Sequence, residues 1–131
     1  MLVRELMTAK PVTCTPENTL YEAANAMLRE NCGCLLVVDP SNEKLVGILT
    51  DRDIVCRAVA HGIVPHGARV KHFMTAKPVR VLPATSVDEC AVKMKDHGIR
   101  RIPVVNENGR CLGIVTQSDL IWRGQLGEIY H

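Results

Sequence analysis

The stretch Leu6-Met-Thr-Ala-Lys-Pro-Val12 returns later in the chain as Phe73-Met-Thr-Ala-Lys-Pro-Val79, with six consecutive residues identical. The matches then continue in register and pair Glu22 with Glu89, Met27 with Met94, and Gly47-Ile-Leu-Thr50 with Gly113-Ile-Val-Thr116. Two copies are too few for an open solenoid, which needs at least about three repeats. The duplication therefore predicts two similar units that share one core.

Each copy contains the signals of a helix soon after this motif. Thr19-x-x-Glu22 and Ser86-x-x-Glu89 are capping boxes, and apolar residues follow each of them at helical spacing. Asn31 and Gly98 tolerate left-handed backbone, so they are the expected ends of these helices.

Two short apolar runs around a turn-rich segment follow each helix and predict a β-hairpin. Each hairpin leads into a second helix that begins near Asp51 or Ser118. With a lead-in strand near Val12 or Val79, each copy has the order β-α-β-β-α. We predict an α+β fold in which two such repeats pack with pseudo-twofold symmetry through their sheets. The expected division of the chain is a first repeat at 1–62, a linker at 63–72, and a second repeat at 73–131 with a C-terminal helix and tail.

Composition excludes several classes of protein. Of the 131 residues, 47% are hydrophobic and 23% charged, which excludes intrinsic disorder. Aromatic residues make up only 3% and the net charge is +2, so nucleic-acid binding is not expected. No signal peptide or membrane-length apolar run is found. We therefore expect a cytoplasmic protein without a membrane partner.

The six cysteines include no C-x-x-C pair, and most of them lie in apolar patterns. Free thiols that act as small hydrophobes are therefore favoured over disulfides or zinc. The less favoured alternative is a metal site that uses Cys56, His61, His66 or His72.

Each hairpin ends in a corner where a strand becomes a helix, at Gly47–Asp53 and at Gly113–Asp119. Free backbone N–H groups and the positive end of a helix dipole suit a phosphate at such a corner. The threonine hydroxyls could donate to a phosphate or sugar, and the aspartates could accept two ribose hydroxyls. The simpler interpretation is that Thr50, Asp51 or Ser118 caps a helix while Asp53 lies in its first turn.

The motif Met-Thr-x-x-Pro-Val, the segment His97-Gly-Ile-Arg-Arg-Ile-Pro-Val-Val105 and the closing Gly-Ile-x-Thr-x-x-Asp of each copy together resemble a tandem pair of CBS domains, also called a Bateman module. The resemblance covers about residues 3–125 and leaves no room for a catalytic domain. It implies a non-enzymatic regulatory protein that binds AMP, ADP, ATP or S-adenosylmethionine as a regulatory ligand and signals by conformational change. No catalytic cofactor and no metal are expected.

The resemblance also implies two clefts between the repeats, each formed by both of them, with backbone near Val12 or Val79 contacting the adenine. The first cleft is expected to contain Thr50, Arg52, Asp53, Val79, Arg80 and Arg101. The second is expected to contain Val12, Thr13, Cys34, Thr116, Ser118 and Asp119. The first gathers three arginines and suits a polyphosphate, whereas the second has Cys34 where the other repeat has Arg101.

We expect a homodimer and a regulated protein partner, and the sequence offers Leu20, Met27, Ile54 and Ile121 as candidate contact residues. One alternative is a CBS scaffold that acts through protein contacts without a nucleotide. Less favoured alternatives are a redox or metal module and a nucleic-acid-binding module.

Overall fold

The computed structural model describes residues 1–123, and the predicted tail at 124–131 lies outside the described residues. The strands and helices, in chain order, are β1 (Thr8–Ala9), β2 (Thr13–Cys14), α1 (Leu20–Glu30), β3 (Cys34–Val38), β4 (Leu45–Thr50), α2 (Asp51–Asp53), β5 (Thr75–Ala76), α3 (Val87–His97), β6 (Arg101–Val105), β7 (Cys111–Thr116) and α4 (Gln117–Arg123). Short 3-10 turns lie at Val3–Glu5, Val59–His61, Pro65–Gly67 and Val70–His72. The predicted α+β class is confirmed.

These elements form two compact units, one comprising Val12–Pro78 and the other joining Met1–Pro11 to the chain from Val79 onward. The first unit has a four-stranded sheet of order β2-β3-β4-β5, and the second has a three-stranded sheet of order β1-β7-β6. Each unit has its own apolar core. In the first the core includes Leu20, Leu35 and Leu49, and in the second it includes Ile102 and Val115.

Local sequence signals set the limits of the two long helices. Glu22 N–H donates to Thr19 Oγ1 at 3.0 Å and Thr19 N–H donates to Glu22 Oε1 at 2.8 Å, so both bonds of the predicted capping box are present in α1. In α3, Glu89 N–H donates to Ser86 Oγ at 3.1 Å. The helices end at left-handed Asn31 (φ 51°) and Gly98 (φ 63°), as predicted.

Both predicted hairpins are present, as β3–β4 and β6–β7. Side chains at the start of each turn satisfy its backbone N–H groups: the Asp39 carboxylate accepts Ser41 N–H at 2.9 Å, and Asn106 Oδ1 accepts Asn108 N–H at 2.9 Å. These bonds fix the short connections and thereby bring the ends of both strands to the following helix.

Three sequence expectations need correction. No strand forms at Val79; only a single parallel bridge, Val81↔Val104, connects that segment to the sheet. The helix after β4 is α-helical only over Asp51–Asp53 and widens into a π-helix over Ile54–Ala58. Among the candidate dimer residues, three are buried in the core of their own unit and are not free for a partner; they are Leu20, Met27 and Ile54.

The repeated Met-Thr-Ala motif lies on the sheet of the opposite repeat. β1, from the first copy of the motif, pairs antiparallel with β7, and β5, from the second copy, pairs antiparallel with β4. The compact units therefore differ from the sequence repeats, because each repeat gives its leading segment to the sheet of the other. None of the helices in residues 1–123 has the length and apolar character needed to cross a membrane.

Candidate functional site

The corner at the end of β4 is closed by two reciprocal hydrogen bonds. Thr50 N–H donates to Asp53 Oδ2 at 2.9 Å, and Asp53 N–H donates to Thr50 Oγ1 at 3.2 Å. Thr50 has extended backbone (φ −114°, ψ 162°) and is the N-cap of α2, so the capping interpretation is correct for this residue. Both side chains are half-buried, which leaves part of each exposed to solvent.

The second corner reproduces this geometry. Thr116 N–H donates to Asp119 Oδ2 at 2.9 Å, and Asp119 N–H donates to Thr116 Oγ1 at 3.2 Å. Many other residue pairs can cap a helix, so capping alone does not require threonine and aspartate at both corners. The shared pair holds a hydroxyl and a carboxylate in the same geometry in both units.

A backbone hydrogen bond anchors each corner to the segment that enters the hairpin. Asp51 N–H donates to Gly33 O at 2.9 Å, and Gln117 N–H donates to Arg100 O at 2.8 Å. The capping role considered for Asp51 and Ser118 is not observed, because both are exposed residues of the helices themselves.

The residues that begin the hairpins lie beside the corner threonines. Cys34 is the register partner of Thr50, and Arg101 is the register partner of Thr116. Cys34 and Arg101 are both half-buried. The structure thus places a thiol beside one corner and a guanidinium beside the other. Arg52, which follows the first corner, is exposed.

The lead-in residues flank the sheets. Val12 O accepts Leu36 N–H at 3.1 Å, and the exposed Thr13 of β2 pairs with Leu36 of β3. Val79 and Arg80 are half-buried and directly precede the Val81 bridge.

The predicted site residues therefore divide by unit. One unit brings together Val12, Thr13, Cys34, Thr50, Arg52 and Asp53. The other contains Val79, Arg80, Arg101, Thr116, Ser118 and Asp119. Each predicted cleft draws residues from both units, so the grouping into clefts stays a prediction.

Arg57 is not among the site residues predicted from the sequence; its guanidinium Nη1 donates to Phe73 O at 2.8 Å and lies 3.9 Å from Asp53 Oδ1. Its position four residues after Asp53, repeated by Arg123 after Asp119, was the available signal.

No cysteine in the described part of the chain forms a disulfide, and Cys14 and Cys90 are buried. Burial raises the pKa of the Cys14 thiol to about 12 and that of Cys90 to about 11. These two groups therefore remain protonated at neutral pH, which makes them poor nucleophiles and poor metal ligands. Within residues 1–123, no three His, Cys, Asp or Glu side chains are grouped so that they could hold a metal ion.

Comparison with known proteins gives consistent results. The CBS domain family profile matches residues 3–59 and 70–123. The uncharacterized protein YlbB of Bacillus subtilis is 44% identical over 126 residues, which cover 96% of this chain and 84% of that protein.

Two solved structures share the fold along almost the whole chain. A CBS domain protein from Pyrobaculum aerophilum complexed with AMP has a TM-score of 0.89 and 29% identity, and the match covers 99% of this chain and 98% of that one. The CBS domain pair of protein MJ0100, in complex with 5′-methylthioadenosine and S-adenosyl-L-methionine, has a TM-score of 0.82 and 29% identity, and the match covers 100% of both chains.

The internal duplication, the two matching corners and these similarities agree. The chain belongs to the CBS domain family and is a tandem pair of CBS domains.

Proposed function

We propose that this CBS pair is a regulatory protein without catalytic activity that binds an adenosine-containing ligand and signals by a change of conformation. The observation that carries the proposal is the threonine–aspartate corner, which occurs in both units with the same hydrogen bonds and distances. The AMP and S-adenosylmethionine complexes of similar CBS pairs support this ligand class.

In the proposal, Asp53 and Asp119 each accept the hydroxyls of a ribose, and Thr50 and Thr116 donate to a sugar or phosphate oxygen. A carboxylate that accepts a diol selects a nucleoside over a free base. Oδ2 of each aspartate accepts the backbone N–H of the corner threonine. In the proposal, the other carboxylate oxygen, Oδ1, accepts the ribose hydroxyls.

The two sites are proposed to differ in charge. Thr50, Arg52 and Asp53 act with Val79, Arg80 and Arg101, and these three arginines favour a ligand with a phosphate chain. Thr116, Ser118 and Asp119 act with Val12, Thr13 and Cys34, a set without arginine that favours an adenosine carrying little negative charge.

Calorimetric titration with adenosine, AMP, ATP and S-adenosylmethionine tests the proposal. Asp53→Ala should weaken the tighter binding event about ten- to a hundredfold, since it removes a charged acceptor worth roughly 1.5–3 kcal/mol. Asp119→Ala should leave that event largely intact and affect only the weaker one.

Glu22→Ala is the matched control, because Glu22 occupies the same position of a capping box in α1 and accepts the Thr19 N–H. All three variants should lose helix-capping stability, but only the aspartate variants should lose ligand affinity. If the Asp53 and Asp119 variants bind like the parent, the assignment of these residues is wrong. If the parent binds no adenine compound, a scaffold that acts through protein contacts becomes the better proposal.

We also propose that the protein is a homodimer, as expected from the sequence. Large apolar side chains remain on the surface of the described residues, among them Trp122 (71% exposed) and Val64 (65% exposed). Light scattering at micromolar concentration should give twice the 14.5 kDa chain mass, and a monomeric mass would overturn this proposal.

A further inference from the structure

Arg57 connects three parts of the Val12–Pro78 unit. Its guanidinium Nη1 donates to Phe73 O at 2.8 Å, contacts Met74 O at 3.5 Å and lies 3.9 Å from Asp53 Oδ1. Its side chain is 53% exposed, whereas that of Asp53 is 18% exposed. One cation therefore faces both the proposed ribose-binding carboxylate and two backbone carbonyls from a distant part of the sequence.

These contacts connect the first corner, through the segment before β5, back to the strand from which the corner starts. Phe73 and Met74 directly precede β5, and β5 pairs with Gly47 and Ile48 of β4. β4 in turn ends at Thr50, whose N–H holds Asp53 Oδ2. The other carboxylate oxygen, Oδ1, is the one turned toward Arg57.

The helix changes its winding between the two charged residues. The π-helix covers Ile54–Ala58, and Val59 N–H donates to Ile54 O and Val55 O. In the other unit the corresponding stretch stays α-helical to the exposed Arg123. Wide turns of this kind occur frequently at functional sites.

The ion pair itself contributes little to stability. A pair at 3.9 Å with one largely exposed partner gains little in water, because solvent screens the charges. The planar guanidinium can instead fix direction, since its several donors point in set directions toward carbonyl and carboxylate oxygens.

We propose that Arg57 is a positioning residue of the first nucleoside site: it orients Asp53 Oδ1 for the ribose hydroxyls and couples that carboxylate to the backbone at Phe73 and Met74. The inference rests on the proposed function and adds a residue that acts through Asp53. It implies that a ligand bound at Asp53 changes the order of the segment at 73–77.

The test is a double-mutant cycle with Arg57→Gln and Asp53→Asn, read out by calorimetry with AMP. Arg57→Gln should weaken AMP binding about two- to fivefold in the parent protein, the size expected when one largely exposed ion pair is lost. It should cause no further loss in the Asp53→Asn background, because a residue that acts through Asp53 has nothing left to orient. Arg57→Lys keeps the charge and should recover part of the affinity, which also covers the case in which Arg57→Gln does not fold.

Arg29→Gln is the control, since Arg29 is an exposed arginine of α1 whose ion-pair partner is the adjacent Glu30 at 3.7 Å. It should bind AMP like the parent. In hydrogen exchange, AMP should slow the amides of 73–77 in the parent and less so in Arg57→Gln.

Parent-like AMP binding by Arg57→Gln, or an equal loss in both backgrounds of the cycle, overturns the role of Arg57 and leaves the proposed function intact. A parent protein that binds no adenine compound overturns both.

Discussion

Gly113 of β7 lies so close to Thr8 of β1 that a Cβ atom on the glycine would be 2.7 Å from the Thr8 carbonyl oxygen. The Met7 sulfur would be 3.0 Å from the same added Cβ atom. Gly47 of β4 has the corresponding relation to Met74 and Thr75. Glycine at these two positions therefore allows β1 to approach β7 and β5 to approach β4.

Gly113→Ala should destabilise the protein by about 1–3 kcal/mol, because a backbone oxygen cannot move aside without disturbing the β1–β7 pairing. Urea denaturation measures the change. Gly67→Ala is the control, since a Cβ there would meet no heavy atom within 4 Å. Equal denaturation midpoints for the two variants would contradict the role of close strand approach.

Truncation of two leucines in one helix should affect stability to very different extents. Leu20 of α1 is fully buried, whereas Leu28 is 81% exposed. Leu20→Ala should cost about 2–5 kcal/mol, since it leaves a cavity in the core. Leu28→Ala should change stability by no more than about 0.5 kcal/mol. Thermal or chemical denaturation of both variants checks this, and a comparable loss for Leu28 would show that its surface is covered in solution.

Arg101→Ala should weaken ATP binding about ten- to a hundredfold, because a charged hydrogen bond to phosphate is lost. Adenosine has no phosphate, so its affinity should be unchanged. Arg100→Ala is the adjacent control, because the Arg100 side chain is exposed and its corner contact is through the backbone carbonyl. A uniform loss for ATP and adenosine would assign Arg101 to structure instead of phosphate binding.

Stability should fall at alkaline pH because of the buried thiols. An ordinary cysteine titrates near 9.0, whereas burial raises the pKa of Cys14 to about 12. Between these values the unfolded chain has released a proton that the folded chain retains, so the free energy of unfolding decreases as pH rises. Denaturation between pH 8 and pH 11 should show a smaller decrease for Cys14→Ala than for the parent, while variant Cys56→Ala, at an exposed position, should follow the parent. A parent-like slope for Cys14→Ala would show that this thiol is accessible to water.

Local signals made much of the fold predictable. The caps at Thr19 and Ser86 and the left-handed ends at Asn31 and Gly98 act within one helical turn, so the sequence alone shows them. The two corners were found for the same reason, because Thr50 and Asp53 are only three residues apart. The duplication supplied a second example of each signal.

Features that depend on distant contacts could not be predicted in this way. The pairing of β1 with β7 joins opposite ends of the described chain, and the repeated motif has the same sequence whichever sheet receives it. Burial of Leu20, Met27 and Ile54 depends on what covers them, which helical spacing does not reveal. Arg57 was overlooked because a charged helix residue is ordinarily solvated, and its partner Phe73 is remote in sequence.

β1 and β5 each pair with the sheet of the other repeat, so the order in which the two sheets are completed follows from the order of synthesis. The Val12–Pro78 unit is one continuous segment, so all of its strands are synthesised before the second hairpin. β1 is synthesised before this unit but cannot pair until β7, which is completed only at Thr116, is available. Contacts between such distant residues form slowly and leave early segments unpaired in the meantime. The Val12–Pro78 unit is therefore expected to form first, and β1 pairs only after β7 has been synthesised.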